Sequence, residues 1–531
     1  MKKKSSIFLF AILMINSLVW SQKEFKQLYE VKFPVSVDNW QNNDDQTIAV
    51  AGNDAALCAV DAVSGKVLWQ FTLKEKFAIK KCESWDYDTD LEVVEIICKG
   101  DKKEDRISYY IDSRTGETIS DMTSKQKITK TKYVRPKKQK KSWVGKGTLD
   151  LENPNVSLSL DYESPKINSS YDKKKKRPIA VSCVGEYTWT ANIEGSFVRA
   201  LCSNATGMGD FGGDFIDLFV SGNFVFVVYE GLSVIDLKTG KLLWETTFDF
   251  SSLDLGLMKT EMIIGRAPMP VCDASGAYIA DLSKETRAIR KFDLSTGKVL
   301  WESERLKKDA IITEMILIDG VLMVRNGGKV QVQTYIVDTN GGSVCKSEMK
   351  EEGDFSLAAY DAVSGKLLWV GDDVKSLGDK FKSISNLLTD GTLLYVSSDR
   401  NLFALDPKTG APKYKVDISD MKIGKPNFIA EYESDIIIDG EEGLARLQKS
   451  DGKVKYATDT KKNLGSFFAG DVFYVWIGKD ADDWSQFIRF NIETGAIEGG
   501  IKDTGYPYFS PDGNEFIKKD NNVLLRYSTK P

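Results

Sequence analysis

The sequence feature that most constrains the fold is a short pattern that occurs eight times along the chain. Each copy has an acidic or amide residue, then a Ser/Thr-Gly or Asp-Gly turn, and in most copies an aromatic residue four positions after the glycine. The clearest copies have the turn glycines Gly65, Gly240, Gly297 and Gly365, followed by Trp69, Trp244, Trp301 and Trp369. Weaker copies centre on Gly116, Gly410, Gly452 and Gly495, followed at the same offset by Ser120, Tyr414, Tyr456 and Gly499.

Each copy has the chemistry of a β-hairpin. The alternating residues 402–405 predict a half-buried strand, and the carboxylate of Asp406 can accept hydrogen bonds from backbone N–H groups two residues on. Gly410 then supplies the positive φ that completes the turn. The following strand brings the aromatic residue to an equivalent place in each copy. We therefore expect the four tryptophans to pack between neighbouring sheets and the four clearest glycines to form turns.

The spacing of the glycines predicts the type of repeat. The intervals from Gly365 to Gly410, Gly452 and Gly495 are 45, 42 and 43 residues. This is the length of a four-stranded propeller blade, and it exceeds a leucine-rich or ankyrin repeat. Further alternating runs, such as 392–396 and 224–228, precede the repeated segment and supply another strand.

The pattern resembles the repeat of the PQQ-like β-propeller superfamily, which includes quinoprotein dehydrogenases and the propeller lipoprotein of the outer-membrane β-barrel assembly machinery. The resemblance covers most of residues 27–529 and is weakest between 122 and 214. It implies an all-β, closed propeller of four-stranded antiparallel blades, most simply eight, with seven or nine as alternatives. We expect strands 514–518 and 523–529 to pair with 27–33 and so close the ring.

The N-terminus predicts export. Three lysines at 2–4 precede the apolar stretch 7–19 and the small residue Ser21, which is typical of a secretory signal peptide over residues 1–21. No cysteine ends that stretch, so a lipoprotein anchor is not expected, and the mature chain has no further apolar run of membrane-spanning length. We expect a periplasmic or secreted protein whose residues 22–531 form one propeller domain.

Composition excludes several kinds of catalytic site. The chain has no histidine, which rules out Ser-His-Asp and Cys-His catalysis and His-ligated metals. Seven cysteines include no CxxC pair, and most lie in apolar strand-like runs where cysteine acts as a small buried residue.

The string 207–212 satisfies G-x-G-x-x-G without a βαβ pattern, so a loop is expected there. Asp86, Asp88 and Asp90 lack the glycine and glutamate of an EF-hand, which favours a solvated acidic loop.

One lysine-rich stretch departs from the repeat. Residues 125–146 contain nine lysines and one arginine without an acidic residue, although the whole chain has a net charge of −5. We expect an irregular insertion at about 122–178. It is either a solvated loop or a contact for an acidic protein or an anionic envelope surface, with Lys137, Lys138, Lys140 and Lys141 as candidate contact residues. Nucleic acid is not an expected partner of an exported protein.

Two functions remain. The first is a non-enzymatic propeller that holds an extracytoplasmic protein partner, a scaffold role that the resemblance to the assembly-machinery lipoprotein suggests, without cofactor or metal. The second is a PQQ- or sugar-binding propeller, including a quinoprotein oxidoreductase that uses PQQ with calcium. The resemblance to those enzymes implies adjacent cysteines against the cofactor, and this chain has no Cys-Cys pair. The scaffold is therefore the favoured interpretation.

Overall fold

A computed structural model describes residues 24–43, 46–89, 92–99, 106–119, 156–162, 176–196, 216–249, 251–255, 259–308, 310–337, 343–371, 384–478, 486–502 and 507–530. Within these ranges the chain is almost entirely β-structure, as the sequence predicts. The exceptions are a one-turn helix, α1 (Leu73–Phe77), and a 3₁₀ turn at Ser419–Met421. No helix in the described ranges has the length and apolar character needed to cross a bilayer.

The chain divides into two compact units, Met1–Ile128 with Thr460–Pro531, and Thr129–Asp459. The N-terminal part of the first unit contains β1 (Lys26–Lys32), β2 (Asn39–Asn42), β3 (Ile48–Gly52), β4 (Ala56–Asp61), β5 (Lys66–Thr72), β6 (Ser84–Asp88), β7 (Val93–Lys99) and β8 (Arg106–Asp112).

The second unit is the larger. Its strands are β9 (Val156–Tyr162), β10 (Arg177–Gly185), β11 (Trp189–Gly195), β12 (Asp217–Ser221), β13 (Phe224–Tyr229), β14 (Gly231–Asp236), β15 (Leu242–Thr246), β16 (Ser251–Leu255), β17 (Lys259–Ile264), β18 (Val271–Asp273), β19 (Gly276–Asp281), β20 (Ala288–Phe292), β21 (Val299–Glu302), β22 (Ile312–Ile318), β23 (Val321–Val337), β24 (Ser343–Asp361), β25 (Leu367–Val370), β26 (Leu388–Thr389), β27 (Leu394–Ser398), β28 (Asn401–Leu405), β29 (Pro412–Asp417), β30 (Pro426–Tyr432), β31 (Asp435–Gly440), β32 (Gly443–Gln448) and β33 (Val454–Asp459).

The C-terminal part of the chain completes the first unit. Its strands are β34 (Asn463–Ala469), β35 (Val472–Ile477), β36 (Gln486–Asn491), β37 (Ala496–Lys502), β38 (Tyr508–Phe509), β39 (Glu515–Asp520) and β40 (Val523–Ser528). Strand β1 pairs antiparallel with β40, in a sheet ordered β1-β40-β39-β38. The predicted pairing of the first strand with the C-terminal strands is therefore confirmed, while closure of a ring stays a prediction.

Most sheets are antiparallel, four-stranded meanders of consecutive strands. This holds for β2–β5, β12–β15, β18–β21, β26–β29, β30–β33 and β34–β37, which confirms the predicted four-stranded unit. The two inner strands of a unit are buried, as in β13 and β14, because both faces of the sheet are covered. The outer strands alternate in exposure, as β29 does, because one face meets solvent.

A bulge at the same place in seven repeats fixes the position of the aromatic residue. The register between the third and fourth strands of the sheet shifts just before the residue that precedes the turn Asp, Gln or Asn. Examples are the shifts between Ala59 and Val60 and between Lys291 and Phe292. The same shift occurs in the sheets of β14–β15, β24–β25, β28–β29, β32–β33 and β36–β37. The extra residue in the outer strand brings Trp69 opposite Ala59 and Trp301 opposite Lys291.

Two insertions build a sheet that the repeat does not require. Strands β23 and β24 continue beyond their blade as a long hairpin, and residues 331–336 of β23 pair with β17, which in turn pairs with β16. We call the assembly of β16, β17, residues 328–337 and residues 343–352 the appended sheet. The hairpin accounts for the long interval of 68 residues between Gly297 and Gly365.

Two interpretations of local sequence were wrong. The stretch 122–178 is not irregular throughout, because β9 lies inside it and pairs with β10 along seven residues. Asp86 and Asp88 do not lie in an acidic loop. They belong to β6, in which exposed Asp86 and partly buried Asp88 alternate with buried Trp85 and Tyr87, the pattern of a half-buried strand.

Candidate interaction surface

The tryptophans of the repeat join each sheet to the next one along the chain. The indole N–H of Trp244 donates to the carbonyl of Leu294, one residue beyond the turn residue Asp293 of the next repeat, at 2.7 Å. The same bond recurs at 2.7 to 3.1 Å from Trp69 to Ser113, Trp301 to Ala362 and Trp369 to Pro407. Only 6 to 9 % of each of these tryptophans is exposed.

The turn glycines make room for these rings. A Cβ added at Gly297 would lie 2.5 Å from the ring of Trp244, and one at Gly365 would lie 2.5 Å from Trp301. Both glycines also have φ near +70°, which a side chain would disfavour. At Gly65 and Gly240 the nearest ring belongs to a residue that the repeat pattern had not indicated, Tyr29 and Trp189 respectively.

Tyr29 and Trp189 are the structural residues that sequence reasoning missed. Trp189 lies four positions after Gly185 and donates to the carbonyl of Leu237 at 2.7 Å, as the other tryptophans do. The offset of four residues between Gly185 and Trp189 was the available signal. The turn, however, carries no Asp, Asn or Gln four residues before its glycine, where the other copies have one. Tyr29 of β1 donates its hydroxyl to the carbonyl of Ala62, the equivalent acceptor, at 2.5 Å. Burial raises the pKa of Tyr29 to about 12.

The turn carboxylates are held ionised by local hydrogen bonds. Asp293 accepts from the hydroxyls of Ser295 and Thr296 at 2.7 and 2.8 Å and from both of their backbone N–H groups. These bonds, led by the one from the Ser295 hydroxyl, lower the pKa of Asp293 to about 2. The turn aspartates and their partners are thus used in shaping hairpins, which leaves the functional surface to be sought elsewhere.

A buried cation reinforces one junction between sheets. Lys291 is 3 % exposed, and its ammonium donates to the carbonyl of Ala362 at 2.9 Å and to the hydroxyl of Ser275 at 2.8 Å. The hydroxyl of Tyr278 and the indole of Trp301 also donate to that carbonyl. Burial lowers the pKa of Lys291. Because every donor of this cluster that we describe is used internally, it stabilises the core and is not a ligand site.

The appended sheet differs from the blades because it lacks the repeat turn and the repeat aromatic residue. Val330 and Val332 on one of its faces pack with Ile311 and Ile263. The opposite face makes polar contacts with the start of β30 and the residue before it, since Lys329 donates to Asn427 at 3.0 Å and Lys425 bridges Glu351 at 2.9 Å. The sheet is thus anchored on both faces while its β24 edge carries exposed residues.

A groove adjoins the base of the appended sheet. We call it the 302–367 groove; its cavity is about 630 Å³, and it is lined by residues 302–307, 310–311, 326, 353–354, 356, 360 and 365–367. Three carboxylates and three cations line it: Glu302, Glu304, Asp354, Arg305, Lys307 and Lys366. Lys307 and Asp354 form an ion pair of 2.7 Å at its rim, where both side chains are 77 % exposed. Such a mixed polar surface beside an extra sheet suits recognition of another polar surface.

Tyr360 lies at the inner end of this groove. It is 9 % exposed, packs in the core of the unit, and burial together with nearby Glu304 raises the pKa of its phenol. The groove therefore combines a buried aromatic wall with charged rims.

Several predicted sites lie outside the described residues. These are the signal peptide 1–21, the four lysines Lys137, Lys138, Lys140 and Lys141, the glycine-rich string 207–212, and Asp90. Among the described residues no group of three Cys, Asp or Glu side chains is placed to hold a metal ion. Five cysteines have described side chains, and all five are buried and unpaired, as expected for small core residues: Cys58, Cys82, Cys98, Cys183 and Cys272.

Comparison with known proteins identifies the repeat. Residues 179–348 match the PQQ_2 family model, described as outer membrane protein assembly factor BamB. Residues 179–348 carry PQQ-like β-propeller repeats. The PQQ-like match begins in β10, covers the sheets β12–β15 and β18–β21 and ends within β24, so it includes most of the appended sheet. A search of the curated proteins gave no match.

Solved structures with similarity to this chain include BamB from Moraxella catarrhalis, with 13 % identity, a TM-score of 0.24, and coverage of 78 % of this chain and 98 % of that one. A eukaryotic initiation factor has 8 % identity, a TM-score of 0.33 and coverage of 95 % and 92 %. The Pan2 WD40 domain from Neurospora crassa has 8 % identity, a TM-score of 0.29 and coverage of 60 % and 88 %. TM-scores below 0.5 do not establish a shared global arrangement.

Proposed function

We propose that this chain is a non-enzymatic, exported β-propeller that binds another protein of the cell envelope. The PQQ-like repeats support a rigid scaffold, and the matching family model carries the description of an outer membrane assembly factor. The observation on which the proposal rests is the appended sheet with its neighbouring groove. Both are additions to the repeat, and additions to a rigid repeat scaffold are where binding surfaces usually lie.

The proposal extends to location and architecture. Residues 1–21 act as a cleaved signal peptide, and the blades form a closed ring of about eight units sealed by the sheet of β1 with β38–β40. Envelope fractionation followed by N-terminal sequencing tests the first part: a mature protein beginning near residue 22 supports it. Recovery of the uncleaved chain in the cytoplasm contradicts export.

The 302–367 groove is proposed as a partner contact. Its ion pair Lys307–Asp354 lies at the rim, with both side chains largely exposed. The double substitution Lys307→Glu with Asp354→Lys keeps an ion pair but exchanges the positions of its positive and negative charges. A partner whose own charges are complementary to this pair should therefore bind more weakly. The pair Lys81–Asp54, at 2.6 Å and also exposed, offers a matched control swap, Lys81→Glu with Asp54→Lys.

The experiment is an affinity pull-down from solubilised envelope, followed by titration with the partner so identified. We expect at least a tenfold weaker dissociation constant for the groove swap and no change for the control swap. Equal binding by all three proteins would move the contact away from the groove. Reversal of Lys137, Lys138, Lys140 and Lys141 then tests the lysine-rich stretch as a second contact, and unchanged binding would leave it as a solvated segment.

A second candidate is binding of a small neutral polar ligand such as a sugar. The cavity of about 630 Å³ has the volume of a ligand site, and Tyr360, Asn326 and the carboxylates supply donors and acceptors. PQQ fits this groove poorly, because it is an anion with several carboxylates and the three cations here are balanced by Glu302, Glu304 and Asp354. Calorimetric titration with a sugar panel, and with PQQ plus calcium, distinguishes the candidates. Saturable binding that Tyr360→Phe abolishes would favour the ligand-binding function over the scaffold.

A further inference from the structure

The outer half of β24 is an edge strand with an exposed apolar residue at its centre. Residues 346–352 pair with β23 on one side, and within the described part of the chain no strand pairs with their other side. Met349 is 64 % exposed, the largest value among the exposed methionine, leucine and isoleucine side chains of the described residues. An exposed edge offers backbone N–H and C=O groups to another strand.

The charges on this edge follow a strict order. Residues alternate between the two faces of a strand, so Lys346, Glu348, Lys350 and Glu352 share one face, while Met349 lies on the other. The carboxylate of Glu348 bridges the ammonium groups of both Lys346 and Lys350, the latter at 2.8 Å. One face therefore carries the sequence plus, minus, plus, minus along four successive positions.

This order is complementary to itself when the strand is reversed. We propose that the edge of β24 pairs antiparallel with the same edge of a second copy of this chain, with Met349 on the two-fold axis. A two-fold axis perpendicular to a sheet keeps each face on its own side. In this register Glu348 lies opposite Lys350 of the second copy, Lys346 lies opposite its Glu352, and the two Met349 side chains meet.

The neighbouring registers are disfavoured by the same charges. A register centred on Glu348 would place that carboxylate against itself and Lys346 against Lys350. A register centred on Lys350 would oppose two ammonium groups at the axis. Only the register centred on Met349 forms opposite-charge pairs at all four positions, because like charges directly opposite each other destabilise a sheet.

The pairing joins two appended sheets into one continuous sheet across the axis. It buries one strand edge per copy, which is below the roughly 1,200 Å² typical of stable complexes, so we expect a dimer that dissociates on dilution. This inference goes beyond the proposed function and does not depend on it, since it concerns a different edge and a different partner.

Charge exchange tests the register. Sedimentation velocity of the purified full chain over a range of concentrations should show a monomer–dimer equilibrium. Glu348→Lys or Lys350→Glu alone should weaken dimerisation at least tenfold, whereas the double exchange Glu348→Lys with Lys350→Glu should restore it. Lys408→Glu, which breaks the exposed ion pair with Asp319 elsewhere in the same unit, serves as the control and should leave the dimer unchanged.

A cysteine at the axis provides an independent measurement. Met349→Cys should form a disulfide between two copies under mild oxidation, while Ile336→Cys, an exposed position on the adjacent strand β23, should not. The wild-type protein gives the background from its own cysteines. A chain that stays monomeric at every concentration, single and double charge variants that behave alike, or equal crosslinking at both positions would each overturn the proposal.

Discussion

Trp69, Trp244 and Trp301 each have two roles at once. The ring of each occupies the space that a glycine leaves in the next turn, and its polar hydrogen reaches the carbonyl one residue beyond the turn carboxylate. The roles reinforce each other, because the hydrogen bond fixes the ring over a position where no side chain fits. Tyrosine performs the same task at Tyr29 and at Tyr414, whose hydroxyl donates to the carbonyl of Lys449 at 2.8 Å.

We predict that Trp244→Ala lowers the free energy of unfolding by about 3–5 kcal/mol, since it removes a buried ring and its hydrogen bond. Trp244→Phe should cost more than Trp301→Phe by about 1 kcal/mol. The reason is that the carbonyl of Ala362 still accepts from Lys291 and Tyr278 when Trp301 is lost, whereas Leu294 loses its indole donor. Urea unfolding of the three variants measures this. Equal losses for the two phenylalanine variants would contradict the hydrogen-bond contribution.

The turn carboxylates predict sensitivity to acid. The folded state lowers the pKa of Asp293 from its ordinary value of 3.8 to about 2. The ionised form is therefore favoured by folding, and its contribution is present above pH 4 and lost as the pH falls through about 2. Asp293→Asn should remove this part of the pH dependence.

The chain contains a natural precedent for that substitution, because Asn491 accepts from the backbone N–H groups of Glu493 and Thr494 at 3.0 Å in the equivalent turn. Thermal unfolding of wild type and Asp293→Asn from pH 2 to pH 7 is the measurement. The difference in stability between the two proteins should shrink towards pH 2. A difference that is constant over the whole range would show that the carboxylate charge does not contribute.

At this scale the sequence predicted the four tryptophans and the glycines beneath them, because turn, bulge and aromatic residue lie within thirteen residues of chain. Trp189 was missed because its turn has lost the carboxylate, so that only the offset from Gly185 remained. Tyr29 was missed because its blade is assembled from both ends of the chain, and no local pattern connects β1 with β40.

Strand β1 makes many contacts for its length, because it pairs with β40 and also contacts the sheet of β2–β5. It is a short strand, yet six of its residues pair with β40, and the side chain of Tyr29 continues the aromatic contact to the sheet of β2–β5. The appended sheet differs from β1 because none of its four strands carries a turn glycine or an aromatic residue of the repeat. Pattern reasoning did not predict it, because β17 and β23 are separated by a whole blade and their pairing depends on long-range contacts.

We predict that deletion of residues 24–33 leaves β40 as an open edge and makes the protein prone to aggregation. A synthetic peptide of residues 24–33 should bind the truncated protein and raise its melting temperature, because the strand then pairs in trans. The same peptide with Tyr29→Ala is the matched control and should bind more weakly, since it lacks the hydrogen bond to Ala62. A truncated protein that is as stable as the full chain would contradict this role of β1.

At the scale of the whole molecule, the described residues form two compact units, ten antiparallel sheets and no paired cysteine. The sequence predicted the all-β class and the four-stranded unit, since both follow from local alternation and spacing. The number of blades, predicted as eight with seven or nine as alternatives, stays a prediction. The candidate groove was not predicted, because it depends on which distant strands meet.

We predict that the described cysteines do not react with a thiol reagent in the native protein. Burial raises the pKa of Cys58 to about 12 and also raises that of Cys272, so both thiols stay protonated and inaccessible. Labelling with a maleimide, read by peptide mass spectrometry, should modify Cys58 and Cys272 only after addition of denaturant. Rapid labelling of either residue in buffer would contradict their burial.

The sheet that combines β1 with β38–β40 also sets an order for biosynthesis. Strand β1 leaves the ribosome about 490 residues before its partner β40. At about 5–20 residues per second, synthesis of the intervening chain takes roughly 25 to 100 seconds. Throughout that interval the growing protein carries an unsatisfied strand, and any product that terminates before residue 523 keeps it permanently. Synthesis of β40 is thus itself the event that satisfies β1, and chains that terminate before residue 523 become natural clients for chaperones and proteases.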